Sequence, residues 1–158
     1  MNAKAVIRRP GKSKRVMLSG HPLEFLVTGA DTKHTSMFDW TIPAGFSTGL
    51  HVHRVQEETF YVLEGEITFT VNGERVVAKA GTFANMPVGT PHSFRNESDR
   101  PARMLISVAP AGLEQMFFDV GVPLAEGATT APPPTKDEIE NLMAVAPSYG
   151  IEILLPGH

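Results

Sequence analysis

Gly45-Phe46-Ser47-Thr48-Gly49-Leu50-His51-Val52-His53-Arg54-Val55-Gln56-Glu57-Glu58, running on to Gly65, decides the fold together with a second stretch, Gly81-Thr82-Phe83-Ala84-Asn85-Met86-Pro87-Val88-Gly89-Thr90-Pro91-His92-Ser93-Phe94-Arg95-Asn96. His51 and His53 stand two residues apart, so on a strand both imidazoles project from the same face. Glu58 follows a short polar turn, on Glu58-Thr59-Phe60-Tyr61-Val62-Leu63, and a strand returning beside the one it left brings that carboxylate to the pair. His92 opens the run His92-Ser93-Phe94-Arg95, and a later strand has to carry it to the same interior. Three histidines and one carboxylate at these intervals suit a metal site lined by strands.

A lone histidine near apolar strands is more often a hydrogen-bonded core or surface residue than a ligand. Four such groups together are different. Without a cation, each would have to be satisfied separately, at a cost of roughly 1–3 kcal/mol for every one that fails. Glu57 competes locally with Glu58, but it falls on the opposite face once the strand begins and is read as a solvated charge.

Outward from these blocks the chain keeps a short strand period. Ser36-Met37-Phe38-Asp39-Trp40-Thr41-Ile42 places Phe38, Trp40 and Ile42 on one face, and Leu23-Glu24-Phe25-Leu26-Val27 predicts an earlier strand closed by Gly29-Ala30-Asp31. Ile67-Thr68-Phe69-Thr70-Val71 alternates again; Asn72-Gly73 then accepts the positive φ angles of a tight hairpin, with Arg75-Val76-Val77-Ala78 returning. Arg103-Met104-Leu105-Ile106-Ser107-Val108 is the last barrel strand. Short strands at this spacing, punctuated by glycine and proline, read as an all-β barrel or sandwich with its core over about residues 23–108.

The flanks are different. Residues 1–20 form a basic arm carrying Lys4, Arg8, Arg9, Lys12, Lys14 and Arg15; Gly11-Lys12-Ser13 is no phosphate loop, because Val6 stands where that motif needs glycine. Residues 110–158 form a C-terminal extension. In it Leu113-Glu114-Gln115-Met116-Phe117-Phe118 predicts one or two helical turns, and residues 128–134 a proline-rich connector. Thr135-Lys136-Asp137-Glu138 has capping-box spacing ahead of a helix with Ile139, Leu142 and Met143 on one face, stopped by Pro147. The apolar segment from Tyr149 to Pro156 is expected on the barrel flank. His21, His34 and His158 lack partners at ligand spacing and take no role.

Composition bounds the function. At 158 residues, with 42 % hydrophobic and 20 % charged residues, the chain suits one globular domain. A net charge of −3 gives no case for nucleic-acid binding, and the absence of cysteine removes disulfides and thiolate ligands. No stretch approaches the ~18 apolar residues of a membrane span, and the basic start lacks the apolar segment of a signal peptide. A cytoplasmic protein without membrane partner is the expectation, and the basic arm with uncovered strand edges predicts a homodimer.

Both blocks resemble the cupin signatures. The first is Gly, five residues, His-x-His, four residues, Glu, six residues, Gly, and Gly45, His51, His53, Glu58 and Gly65 match it; the second is Gly, five residues, Pro-x-Gly, two residues, His, three residues, Asn, and Gly81, Pro87, Gly89, His92 and Asn96 match that. The resemblance implies a small antiparallel β-barrel of jelly-roll type, with one divalent transition metal per chain bound by His51, His53, Glu58 and His92. Beyond these blocks, Phe60-Tyr61-Val62-Leu63-Glu64-Gly65, Pro110-Ala111-Gly112-Leu113-Glu114 and Tyr149-Gly150-Ile151 with its closing proline are similar to single-domain proteins grouped with quercetin 2,3-dioxygenase.

Four nitrogen and oxygen ligands leave positions free on a metal preferring five or six, where substrate or oxygen binds. The donor set excludes a thiolate-selective metal and leaves iron, manganese, nickel, copper, cobalt and zinc open. Phe60, Val62 and Phe94 share the ligand face and predict an apolar pocket wall, which favours an aromatic or otherwise hydrophobic substrate over a sugar phosphate. The resemblance implies a metal-dependent dioxygenase acting on a flavonol-like or other aromatic or enediol small molecule. In that reading substrate and O2 meet at the metal, and Glu58 is both ligand and catalytic proton acceptor. A redox-neutral isomerase, lyase or hydrolase and a non-catalytic small-ligand-binding module remain open alternatives.

Overall fold

Apolar residues at every second position dictate strands that bury one face, and the long strands of this chain follow that rule. The computed structural model describes residues 4–18, 21–124, 128 and 135–155. In chain order its elements are β1 (Lys14–Leu18), β2 (His21–Val27), β3 (Ser36–Ile42), β4 (His51–His53), β5 (Glu57–Glu64), β6 (Glu66–Val71), β7 (Glu74–Lys79), β8 (Phe83–Met86), β9 (His92–Arg95) and β10 (Ala102–Ala109), then α1 (Glu114–Val120), β11 (Val122–Pro123), α2 (Lys136–Val145), a 3-10 turn (Ala146–Tyr149) and β12 (Ile151–Ile153). Along β10 the buried residues are Ala102, Met104, Ile106 and Val108; along β3 they are Ser36, Phe38, Trp40 and Ile42, in the alternation the sequence predicts.

Antiparallel pairing builds a seven-stranded sheet in the order β11-β1-β2-β3-β10-β5-β8 and a five-stranded sheet in the order β12-β4-β9-β6-β7. Strands distant in sequence lie side by side, β3 with β10 and β4 with β9, which is the jelly-roll pattern. The two sheets are not joined into one closed ladder, so the expected barrel takes the form of a two-sheet sandwich. Between them lies an aromatic core in which the Phe94 ring sits 5.8 Å from both Trp40 and Phe60, centroid to centroid. At one end α1 lays Phe117 and Phe118 on Phe25, at 5.9 and 4.8 Å. Each large apolar side chain so buried contributes roughly 1.5–3 kcal/mol.

Two signature residues are explained by the backbone. Gly65 turns β5 into β6 at φ 76°, and a Cβ there would stand 3.0 Å from the Ala102 Cα. Asn96 is fully buried and ties the β9–β10 connection together, donating from Nδ2 to the carbonyls of Ile42 (3.0 Å) and Arg100 (2.7 Å). Its Oδ1 accepts from the Ser98 N–H at 3.0 Å and the Ser98 hydroxyl at 2.7 Å. The predicted hairpin is present, with φ of 49° at Asn72 and 85° at Gly73 between β6 and β7.

The flanks depart from expectation. Residues 14–18, placed by the sequence in the basic arm, are strand β1, because burying Val16, Met17 and Leu18 against β2 outweighs the charge of Lys14 and Arg15. Thr135 does form a capping box with Glu138, but Ile139 and Met143 of α2 stay exposed and only Leu142 of the expected face packs on the core. The extension is not wholly helical: β12 pairs with β4, giving the terminal apolar segment a definite place in the smaller sheet. Most of the 128–134 connector, Pro156 and His158 lie outside the described residues.

Candidate metal centre

β4 is only three residues long, and its alternation turns His51 and His53 to the interior. β9 runs antiparallel beside it, with His92 directly opposite His51 and their rings 4.5 Å apart. Glu58 arrives differently from the expected return strand. Residues 54–56 carry the chain across the sandwich, so β5 pairs with β10 and β8 in the seven-stranded sheet, and Glu58 faces the three histidines from the opposite layer.

The four side chains converge. Glu58 Oε2 lies 3.1 Å from His53 Nε2 and 3.0 Å from His92 Nε2, and one donor atom from each of the four residues falls within 4.8 Å of the others. Most of the cluster is buried: relative exposure is 1 % for His92, 4 % for His53 and 7 % for Glu58, while His51 at the rim is half-buried. His51 and His92 each set Nδ1 at 2.8 Å from a backbone carbonyl, of Gly49 and Thr90 respectively. Those bonds fix the rings so that Nε2 is the free donor.

Electrostatics match a cation site. Burial alone pushes the Glu58 carboxyl up, but hydrogen bonds and charge from His53 and His92 outweigh it and hold the group at about 2. For His51, burial dominates the attraction of Glu58 and lowers its pKa. Burial also works against charge on His92, yet its hydrogen bond to Glu58 prevails and raises it. The fit to a metal can be tested on these positions. Ligands at ~2.0–2.2 Å from a common divalent ion stand roughly 3–4.4 Å from one another; the two histidine approaches to Glu58, 3.0 and 3.1 Å, lie at the short end of that range, and no pair of donors stands further apart than 4.8 Å, so a slight contraction closes the set on an ion. Three imidazoles and one carboxylate can therefore hold a divalent transition metal, and the arrangement fits.

The predicted wall residues are all inward and buried. Phe60 lies beside the cluster, its ring 6.1 Å from that of His92; Phe94 sits among Trp40, Phe46, Phe60 and Phe69, and Val62 is wholly within the core. Glu57 is exposed, as its strand position predicts. His34 is also exposed and stands apart from the cluster. The sequence did not single out Gln56, which the β4–β5 connection buries. Its only signal is an uncharged polar residue in a turn otherwise made of Arg54 and Val55.

Residues 38–108 match the cupin domain family. Among curated relatives, quercetin 2,3-dioxygenase of Bacillus subtilis is 28 % identical over 136 residues, covering 84 % of this chain and 39 % of that protein. An oxalate-binding protein of Thermotoga maritima is 38 % identical over 64 residues, covering 40 % of this chain and 53 % of its own. The chain thus spans roughly two fifths to a little over half the length of these relatives. Among solved structures, a predicted oxalate decarboxylase from Thermotoga maritima superposes with a TM-score of 0.60 at 25 % identity, covering 66 % of this chain and 99 % of the other.

Proposed function

We propose that this chain, whose residues 38–108 match the cupin domain family, is a metal-dependent dioxygenase acting on a flavonol-like or other aromatic or enediol small molecule. The observation that carries this reading is the convergence of His51, His53, Glu58 and His92 within 4.8 Å, three of them buried, with the Phe60 ring alongside. The similarity to a quercetin 2,3-dioxygenase over 84 % of the chain supports the choice of reaction. When bound there, a metal supplies Lewis-acid polarisation of a substrate oxygen and access to redox chemistry.

The chain's own residues do the rest. Three imidazoles and the Glu58 carboxylate hold the cation, leaving room for exogenous oxygen donors on a metal that prefers five or six ligands. Glu58, a ligand of that cation, accepts the proton of an acidic substrate hydroxyl. Phe60, buried in the core with its ring beside that of His92, packs against the cluster and excludes water from that side. Phe94 and Val62 back that ring from the core.

The test is oxygen consumption by protein reconstituted singly with iron, manganese, nickel, copper, cobalt or zinc and supplied with flavonols and smaller phenols. At least one redox-active metal is expected to support uptake stoichiometric with substrate loss. Substrate turnover without oxygen uptake would replace the dioxygenase by a redox-neutral lyase or isomerase, the reading favoured by the predicted oxalate decarboxylase of similar fold. Ligand binding without turnover would leave a binding module, as the oxalate-binding relative is described.

A further inference from the structure

We propose that Gln56 is a positioning residue for His53: its side-chain oxygen accepts the Nδ1 proton of the metal-loaded imidazole through a single bridging water or after a small rotation of the side chain, while its amide nitrogen is tied to the C-terminal turn. The proposal rests on the metal-site reading above. Of the three clustered histidines, His51 and His92 have Nδ1 placed on carbonyls, each at 2.8 Å. His53 breaks the pattern. Its Nε2 faces Glu58 at 3.1 Å, as a ligand nitrogen should, but its Nδ1 is buried and has no partner among the described residues.

An imidazole whose Nε2 binds a cation must carry its proton on Nδ1, and a buried N–H left unpaired is destabilising because its lost solvation is not replaced. The acceptor it lacks is at hand three residues on. Gln56 is buried in the turn between β4 and β5, and its side-chain oxygen is likewise buried without a partner among the described residues. One orphaned donor at the end of β4 and one orphaned acceptor in the connection that follows it satisfy each other when paired.

That turn is clamped from outside by the C-terminal segment. Gln56 Nε2 donates to the Tyr149 carbonyl at 3.5 Å, Arg54 N–H donates to the Gly150 carbonyl at 2.7 Å, and β12 runs along β4 with Ile151 opposite His53. Contact is close enough that a Cβ on Gly150 would meet Val55 Cγ2 at 2.7 Å. Gln56 therefore joins the histidine to a segment about a hundred residues further along, an arrangement that a mere turn-filling side chain would not need.

Zinc is a suitable probe, being diamagnetic and suited to the donor set. Competition titrations with a chromophoric chelator give Zn2+ affinity for wild type, Gln56→Leu and Gln56→Glu, and long-range 1H–15N spectra of the loaded proteins report the His53 Nδ1 proton. The wild-type proton is expected to be protected from exchange and to show cross-relaxation with the Gln56 side chain or a bound water beside it. Gln56→Leu should weaken Zn2+ binding about 10- to 100-fold and expose that proton to exchange, while Gln56→Glu, which keeps the acceptor, should stay within about threefold of wild type. Zn2+ affinity in Gln56→Leu equal to wild type, with the Nδ1 proton still protected, overturns the proposal. So does a rapidly exchanging wild-type Nδ1 proton, a result that needs no variant to fold. Wild type that takes up no Zn2+ removes the metal reading itself, an outcome distinct from wild-type binding that is indifferent to Gln56.

Discussion

Glu58 and Asn96 are both buried signature residues, and they do different work. Glu58 faces three imidazoles across the sandwich, whereas every hydrogen bond of the Asn96 side chain goes to the β9–β10 connection or the end of β3. Glu58→Gln keeps an oxygen donor but loses the base. Its loss should cost about 10²–10⁴-fold in rate per bound metal, the range of general-base assistance. Oxygen uptake normalised to metal content checks this, and equal rates per metal remove Glu58 as base. Asn96→Ala should leave metal content unchanged but strand the Ile42 and Arg100 carbonyls, costing at least about 2 kcal/mol and lowering Tm by roughly 4 °C or more. Calorimetry of the metal-free protein decides it. Strand alternation, which is local, put His51 and His53 on one face, and the resemblance to the cupin signatures joined Glu58, His92 and Gly65 to them. Neither singled out Gln56, because the partners that give that residue meaning lie on β12's approach, far along the chain.

At the scale of elements, α1 is anchored by a charge rather than a cap. Leu113 at its N-cap makes no side-chain bond; instead Glu114 is buried and accepts from the N–H groups of Gly29 and Gly112, the latter at 2.8 Å. Burial by itself raises the Glu114 carboxyl, but those donors and the residue's own N–H prevail and hold it below the usual 4.5. A depressed carboxyl lends stability that is present above its unfolded pKa and lost as pH falls through its folded one. Glu114→Gln should therefore be less stable than wild type by about 1–3 kcal/mol at neutral pH, and the gap should close on acidification below 4.5. Urea titrations of both proteins at pH 7 and at about pH 3 measure it; a gap that widens in acid refutes the anchor. Elements with local signals, such as the Asn72-Gly73 hairpin, alternating β3 and the Thr135 capping box, were legible in the sequence. β1 and β12 were not, because nothing in a short apolar triplet says which strand it will lie against.

For the whole molecule, the sheet assignment of β5 was the step that sequence spacing could not supply: alternation gives a face, not a layer, and Glu58 reaches the histidines from the opposite sheet. The same two-sheet plan leaves an apolar cross-strand pair in solvent, Tyr61 on β5 opposite Phe83 on edge strand β8, 43 % and 64 % exposed. An uncovered pair beside a free edge favours self-association. Light scattering at micromolar concentration should give twice the mass of the chain, and Phe83→Lys should return it to the mass of one chain; a wild-type monomer refutes the expectation. Finally, β12 binds β4 with Glu152 opposite Val52, a separation of 100 residues. At about 5–20 residues per second, a ribosome finishes the ligand strand some 5–20 s before it makes the neighbour that lines that strand's outer edge. A newborn chain thus presents the backbone N–H and C=O groups of β4 on an open edge for that interval, unpaired until translation has passed β12.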